Sequence, residues 1–307
     1  MIKPRALCPG DRVAVVAPAS PFERGEFDAG IAELLRLGLV PVYDDRVFER
    51  RGYLAGDAAR RAEALRDAWR DPSVAAVIGA RGGFGSVQVL PMLDPVEARE
   101  ARKILVGYSD LTSILTFLTI GAGLVCFHGP MLAGRLGRGA EGYDRDSFLR
   151  LLTQKSPAGE LHASGLESIR DGEASGTLLG GNLTQIVASL GTPFAFLPPA
   201  GCVLFLEEVG ERPYRLDRML MQLRLAGVLD RASALVFGEL IRCDESGGEA
   251  TARAVVEDYA RGFPGPVLLG FPSGHTSGPC ITLPLGVKVR VVAGQRPFVA
   301  VEEAAVE

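Results

Sequence analysis

The chain has 307 residues, about twice the common domain size of roughly 100–150 residues, so it is long enough for two domains. Hydrophobic residues make up 47% and charged residues 23%, which excludes a disordered or collagen-like chain. The net charge is -4 and no run of basic residues occurs, so we expect no nucleic-acid partner.

Histidine and cysteine are too scattered for a zinc ribbon or a disulfide framework, since no CxxC pair occurs and the cysteine number is odd. They are His128, His162, His275, Cys8, Cys126, Cys202, Cys243 and Cys280. We therefore expect no metal and no other cofactor, and a mechanism that needs histidine must use one of three.

Hydropathy gives no sign of a targeting or membrane segment. The apolar run near the N-terminus is interrupted by Asp11 and Arg12, unlike the longer apolar core of a signal peptide. No stretch approaches the ~20 apolar residues of a membrane span. We expect a cytoplasmic protein without a membrane partner.

The first 135 residues alternate short apolar runs with amphipathic segments. Buried strands are predicted at Val13–Ala17, Val40–Val42, Val74–Ile78 and Ile104–Val106, with helices at Phe27–Leu37 and Asp57–Arg70. Continuous apolar strands separated by helices indicate parallel βαβ units. We expect an α/β fold whose N-terminal domain, residues 1–140, is Rossmann-like with a parallel sheet.

Residues 141–175 are rich in charge, Gly and Ser, and we interpret them as an inter-domain connection with one short helix at Asp144–Leu152. Residues 176–307 are predicted to form a smaller mixed α/β domain with antiparallel strands near its end. Its helices are predicted at Leu216–Leu225 and Ala252–Tyr259, and its strands at Leu178–Gly180, Val203–Leu206, Ala234–Phe237, Ile281–Leu283, Val287–Val292 and Phe298–Val301.

Binding sites in parallel sheets gather at the carboxyl ends of the strands. The glycine-rich segment Gly79–Gly85 lies at such an end. It is open to three interpretations: a phosphate-binding loop, a tight strand-to-helix turn, or one half of an oxyanion hole. The dinucleotide fingerprint is incomplete because Gln88 stands at its third glycine position.

A second such end, Gly107–Thr112, places Ser109 between a predicted strand and the apolar helix Ser113–Ile120. A serine on a sharp strand-to-helix turn exposes its Oγ, and the next amide points where a carbonyl oxygen would sit. The GxSxG motif fails here because Leu111 replaces the last glycine. Ser109 or Asp110 could instead be a simple helix N-cap.

A nucleophilic serine needs a base and an orienting carboxylate. His275 is the best candidate base because it lies in a turn-rich loop of small residues; His128, at the end of an apolar run, is second, and His162 lies in the polar connection. Glu207 follows the buried run Val203–Leu206, where an unpaired acid is costly, although it could also simply begin a polar loop.

Seven segments, taken in order, resemble the LD-carboxypeptidases of the serine peptidase S66 type, which include muramoyl-tetrapeptide carboxypeptidases and microcin-immunity relatives. The resemblance covers nearly the whole chain. The segments are VAPASP at Val16–Pro21, ARGGFGS at Ala80–Ser86, GYSDLT at Gly107–Thr112, FHGPM at Phe127–Met131, GGNLTQI at Gly180–Ile186, LFLEEVGERPYRLDRML at Leu204–Leu220 and PSGHT at Pro272–Thr276.

The resemblance implies a Ser-Glu-His triad of Ser109, Glu207 and His275, with the serine in the first domain and the other two in the second. The choice of Glu207 over Glu208 rests on the resemblance and on strand alternation. This chain has Phe84 where Tyr is frequent in the family, and Glu208 where Asp is frequent.

The resemblance also implies an oxyanion hole made by backbone amides, which map to Asp110 and to Gly82 or Gly83. Arg81 and Arg215 are candidate cations for a substrate carboxylate. The implied reaction releases a C-terminal D-amino acid, usually D-Ala, from murein tetrapeptides in peptidoglycan recycling, and the implied assembly is a homodimer.

Two other functions stay open. A microcin-immunity-type hydrolase would cleave peptide nucleotides that resemble aminoacyl-adenylates, but that branch tends to lack the ARGGFG form and to carry a longer insertion before the glutamate. A non-enzymatic α/β ligand-binding protein is the interpretation if the catalytic segments are coincidental.

Overall fold

The computed structural model describes residues 1–161, 163–248 and 250–307. Its α-helices are α1 (Arg24–Arg36), α2 (Ala58–Arg70), α3 (Pro95–Ala101), α4 (Thr112–Thr116), α5 (Arg145–Thr153), α6 (Leu183–Ser189), α7 (Pro213–Leu225) and α8 (Ala252–Gly262). Its strands are β1 (Arg12–Val16), β2 (Val40–Val42), β3 (Val74–Gly79), β4 (Ile104–Gly107), β5 (Cys126–His128), β6 (Gly159–Leu161), β7 (Glu167–Arg170), β8 (Gly172–Asn182), β9 (Cys202–Glu207), β10 (Ala232–Gly238), β11 (Val267–Phe271), β12 (Leu283–Leu285), β13 (Lys288–Ala293) and β14 (Phe298–Val301).

The first sheet has six strands in the order β12-β5-β4-β3-β1-β2. Strands β1 to β5 are parallel, and β12 from the C-terminal half pairs antiparallel with β5. All residues of β4 and all residues of β3 except the half-buried Ala75 are buried, because helices and loops cover both faces of the sheet. The predicted parallel α/β architecture is confirmed.

The second sheet has eight strands in the order β6-β14-β13-β8-β9-β10-β11-β7. Strands β8 to β11 are parallel, and the strands on either side of them pair antiparallel. This confirms the expected mixed sheet with antiparallel strands near the C-terminus.

The segment 141–175, predicted as an inter-domain connection, contributes structure to the second sheet. It holds α5, β6, β7 and the first residues of β8. The division of the chain at residues 140 and 175 stays a prediction, and His162 lies outside the described residues.

Local sequence sets where the helices near the site begin. Asn182 ends β8 and caps α6, since its Oδ1 accepts the Gln185 N–H at 3.2 Å. Pro213 opens α7, where a missing N–H costs nothing. Two of the helices that cover the second sheet therefore start just past the carboxyl ends of its strands.

The carboxyl end of β8 contacts the N-terminal half of the chain directly. The backbone N–H of Asn182 donates to Thr112 Oγ1 at 3.0 Å, and Ser113 Oγ lies 3.0 Å from Gln185 Oε1. A Cβ on Gly181 would lie 2.7 Å from Thr112 Oγ1, so only glycine allows this approach. The sheet edge that carries β9 therefore lies against the turn that follows β4. In the described part of the chain, none of the helices has the length and apolar character needed to span a membrane.

Candidate active site

Ser109 lies on the sharp turn after β4 and has a φ of 61°, which is unusual for a residue other than glycine. Such a conformation costs of order 1–3 kcal/mol and persists only where the surroundings enforce it. Leu111 is fully buried and helps to enforce it. A Cβ on Gly79 would overlap Leu111 Cδ2, and a Cβ on Gly107 would lie 2.6 Å from it. The two strand-end glycines thus make room for the leucine that replaces glycine in GxSxG.

The residue after the serine joins this turn to the glycine loop. Asp110 is buried, its carboxylate accepts the Ser86 N–H at 2.8 Å, and its own carbonyl accepts the Ser86 hydroxyl. Burial raises the pKa of the Asp110 carboxyl above its usual value. These contacts involve the carboxylate and carbonyl of Asp110, and leave its amide N–H for another acceptor.

The glycine loop lies against Ser109. A Cβ on Gly82 would sit 3.0 Å from Ser109 Cβ and 3.2 Å from Ser109 Oγ, so a side chain there would crowd the serine. The Gly82 carbonyl accepts the Ser20 N–H at 3.1 Å, which orients its peptide. Gly83 has a φ of 99°, which favours glycine. Within the described ranges, the amides of Gly82 and Gly83 donate to no protein acceptor.

The buried Glu207 pairs with the partly exposed His275 at the carboxyl edge of the second sheet. Glu207 ends β9 and is fully buried, and its Oε2 accepts the His275 Nδ1 at 2.7 Å and the His275 backbone N–H at 3.1 Å. Burial alone would raise the pKa of the Glu207 carboxyl, but the hydrogen bond and charge of His275 outweigh it and hold that pKa below its usual value. The pair leaves Nε2 of His275 for another partner.

Two glycines shape the pocket that holds the Glu207 side chain. A Cβ on Gly238 would lie 2.8 Å from Glu207 Cβ, and a Cβ on Gly274 would lie 2.8 Å from its carboxyl carbon. Gly274 also has a φ of 82°, so its position is doubly restricted to glycine. The close approach of Gly274 places the next residue, His275, within hydrogen-bonding distance of the carboxylate.

The pair meets the serine turn through Tyr108. Tyr108 is the residue before Ser109. Its ring centroid lies 5.1 Å from the His275 ring centroid, and the two rings are arranged edge to face. No hydrogen bond joins His275 to Ser109 among the described residues. Catalytic hydrogen bonds are often long without substrate and tighten when it binds.

The second candidate histidine and the second candidate glutamate have other partners. His128 is fully buried and its Nδ1 lies 3.0 Å from Ser273 Oγ; burial lowers its pKa to about 4, so it is neutral near pH 7. Glu208 accepts hydrogen bonds from Asn182, Thr184 and the Val209 N–H. Adjacent glutamates thus point in different directions, as strand alternation predicts.

The two candidate arginines lie on the surface. Arg81 directly precedes Gly82, and its only ion pair among the described residues is a long one of 3.9 Å with Glu26. Arg215 lies on α7 and pairs with Glu211 at 3.2 Å. Their role as carboxylate-binding groups stays a prediction.

Two groups around the site were not predicted. Arg135 donates to several carbonyls of the loop that carries His275, and Ser86 binds Asp110. Both contacts join residues far apart in sequence, so no local pattern could reveal them. Within the described part of the chain, no three His, Cys, Asp or Glu side chains cluster closely enough to hold a metal ion.

Family models match both halves of the chain. The model described as the LD-carboxypeptidase N-terminal domain matches residues 13–129, and that described as the LD-carboxypeptidase C-terminal domain matches residues 175–291. The chain belongs to the LD-carboxypeptidase family. The resemblance seen in the sequence is thereby confirmed, and with it the class of serine-type LD-carboxypeptidases.

Individual relatives of this LD-carboxypeptidase are similar over most of their length. It is 36% identical over 300 residues to the probable murein peptide carboxypeptidase of Bacillus subtilis, covering 97% of this chain and 93% of the relative. It is 33% identical over 272 residues to the murein tetrapeptide carboxypeptidase of Pseudomonas aeruginosa, covering 86% and 88%.

A third relative is a self-immunity protein. The microcin C7 self-immunity protein MccF of Escherichia coli is 27% identical over 302 residues, covering 90% of this chain and 88% of the relative. A solved structure of MccF in complex with glutamyl sulfamoyl guanosine superposes with a TM-score of 0.90 at 24% identity, over 100% of both chains. That superposition shows a shared fold.

Proposed function

We propose that this enzyme is an L,D-carboxypeptidase that releases a C-terminal D-amino acid, in particular D-Ala, from murein tetrapeptides during peptidoglycan recycling. The observation that carries the proposal is the hydrogen bond between buried Glu207 and partly exposed His275 beside the strained Ser109 turn. Murein peptide carboxypeptidases among its relatives support the substrate class.

The first half-reaction would be acyl transfer to Ser109. His275 takes the Ser109 proton as Oγ attacks the carbonyl that precedes the terminal D-residue, and the same proton then passes to the leaving amine. Glu207 holds the imidazole in one tautomer and stabilises the imidazolium without taking the proton. The second half-reaction repeats these steps with water, which His275 deprotonates, and frees the acid and Ser109.

The negative charge of each tetrahedral intermediate would rest on backbone amides. The Asp110 amide follows the nucleophile, and Gly82 lies against Ser109, so these two are our choice for the oxyanion hole, with Gly83 as the other candidate. One such donor is worth about 2.7–4 kcal/mol in other hydrolases. Because a carboxypeptidase must also bind a carboxylate, we assign Arg81 or Arg215 to that role.

Product analysis tests the proposal. Incubation of the enzyme with a murein tetrapeptide should give the tripeptide and free D-Ala by mass spectrometry, and Ser109→Ala should give neither while it remains folded. Intact tetrapeptide with the wild-type enzyme would refute the proposed substrate.

The alternative is a hydrolase of the microcin-immunity type. It is favoured by the likeness to MccF, whose structure holds a glutamyl sulfamoyl nucleoside. Incubation with an aminoacyl sulfamoyl-adenylate decides between the two: release of the amino acid from that compound, without D-Ala release from tetrapeptide, would establish the alternative.

We also propose that the enzyme is a cytoplasmic homodimer, as the family resemblance implies. Light scattering coupled to size-exclusion chromatography tests the assembly, and cell fractionation tests the location. A monomer across the micromolar range, or recovery outside the cytoplasm, would contradict these proposals.

A further inference from the structure

The loop that carries His275 belongs by sequence to the second domain, but much of what holds it comes from the first. It runs from the end of β11 at Phe271 to β12 at Leu283, and β12 pairs with β5 of the first sheet. Near the start of this loop, Ser273 Oγ lies 3.0 Å from Nδ1 of His128, which is the last residue of β5. The loop that carries His275 is therefore held by contacts with the domain that supplies Ser109.

Arg135 provides the most extensive of these contacts. Its Nη1 donates to the Gly278 carbonyl at 2.8 Å and to the Gly142 carbonyl at 3.3 Å. Its Nη2 donates to the Thr276 carbonyl at 2.8 Å and to the Gly274 carbonyl at 3.3 Å. Three of the four acceptors lie in the loop, on both sides of His275.

Most hydrogen bonds of the guanidinium go to this loop, and the group also lies beside the side chain of Tyr108, the residue before Ser109. The four contacts use all four Nη hydrogens, so a bidentate grip on a substrate carboxylate would require breaking them. No carboxylate in the described ranges lies within ion-pair distance of Arg135. A planar fork with fixed donors suits several carbonyls at once, whereas a lysine ammonium does not.

We propose that Arg135 is a positioning residue for His275, which it aligns with Ser109 by fixing the carbonyls on both sides of the base. This inference rests on the role proposed for His275. Glu207 orients the imidazole within the second domain, and Arg135 fixes where that loop lies relative to the first domain. A misplacement of about 1 Å at a reacting group costs on the order of 10²-fold in rate.

The test compares Arg135→Ala with Arg138→Gln. Arg138 is an exposed arginine three residues further on, in the same 3-10 helical region, and serves as the matched control. For Arg135→Ala we expect kcat for D-Ala release to fall about 10- to 100-fold with KM within about threefold, since binding groups stay in place. Added guanidinium at a non-denaturing concentration should restore part of kcat in Arg135→Ala and change nothing in Arg138→Gln.

The rate at which a fluorophosphonate labels Ser109 gives a readout that does not depend on the substrate. It should fall in Arg135→Ala in parallel with kcat. If Arg135→Ala does not fold by circular dichroism, Arg135→Lys takes its place and should show the same loss of kcat and of labelling rate.

Either of two results would overturn the inference: a raised KM with unchanged kcat, which would make Arg135 a substrate-binding group, or a kcat and a labelling rate within twofold of wild type. Absence of D-Ala release by the wild type would instead refute the proposed function, and the labelling rates would still decide the role of Arg135.

Discussion

Replacement of Glu207 by Gln removes the negative charge and little else. The backbone N–H of His275 donates to the same oxygen, Oε2, that accepts His275 Nδ1, so the amide oxygen of Gln must stay at that position. The imidazole therefore keeps its tautomer. The NH2 group of the Gln side chain then takes the place of Glu207 Oε1, an atom that has no hydrogen-bond partner in the described structure.

The expected loss follows from the missing charge. A carboxylate stabilises an imidazolium about 4 Å away by about 4 kcal/mol at an effective dielectric constant near 20. We therefore expect kcat of Glu207→Gln to fall about 10³-fold, since 1.4 kcal/mol corresponds to a factor of ten. Glu207→Ala also loses control of the tautomer, and its kcat should fall further, about 10⁴-fold, as in other triads.

The free energy of unfolding should change little in Glu207→Gln. Two charge-assisted hydrogen bonds become neutral ones, weaker by about 1 kcal/mol each, while the desolvation cost of a buried charge disappears. The matched control is Glu208→Gln. Glu208 Oε2 accepts both the backbone N–H and the hydroxyl of Thr184, so an amide NH2 at that position would face two donors. That variant should lose about 1–3 kcal/mol of stability but keep kcat per folded molecule.

Stopped-time assays of D-Ala release and urea unfolding at pH 7.5 provide both quantities. A kcat for Glu207→Gln within tenfold of wild type would refute the electrostatic reasoning. Equal losses in Glu207→Gln and Glu207→Ala would show that tautomer control is not preserved. A larger loss of kcat in Glu208→Gln than in Glu207→Gln would show that Glu208, and not Glu207, stabilises the imidazolium of His275.

Three further predictions concern the surrounding residues. Gly82→Ala should lower kcat about 10²-fold without lowering Tm by more than a few degrees, because its Cβ would lie 3.2 Å from Ser109 Oγ; steady-state kinetics and calorimetry check this. Leu111→Ala should lower the free energy of unfolding by about 2–5 kcal/mol, as urea titration would show, because a fully buried side chain leaves a cavity. His128 binds its proton at a pKa of about 4 when folded and near 6.5 when unfolded, so wild-type stability should fall as pH drops from about 6.5 to 4, by about 3 kcal/mol at the limit. In His128→Asn this part of the pH dependence should vanish, and an unchanged urea midpoint profile across that window would contradict the assignment.

Much of the fold follows from short-range patterns in the sequence. The apolar runs that became β1, β3 and β4 are uninterrupted and separated by amphipathic helices, which leaves a parallel sheet as the natural arrangement. The strands of segment 141–175 are harder to predict, because β6 and β7 are short and partly exposed and carry no run of apolar residues. Their place in the second sheet depends on long-range pairing with β14 and β11.

The candidate site also combines features that local sequence predicts with features that depend on long-range contacts. Local turns and family motifs single out Ser109 and His275 as candidates in the sequence, and the structure brings His275 within hydrogen-bonding distance of the candidate Glu207. Leu111 makes the GxSxG motif incomplete in the sequence. Only the three-dimensional structure shows that Gly79 and Gly107 leave space for the Leu111 side chain. The role of Arg135 is not predictable because its three partners in the His275 loop lie more than 130 residues away along the chain.

Trapping of the acyl-enzyme tests the central claim most directly. The enzyme is mixed with a murein tetrapeptide, quenched in acid within one turnover, digested and examined by mass spectrometry. The account predicts that the tripeptide is attached as an ester to Ser109, that D-Ala is released in the same time, and that neither is detected with Ser109→Ala. Release of D-Ala at the wild-type rate by Ser109→Ala, or an ester on another residue, would contradict it.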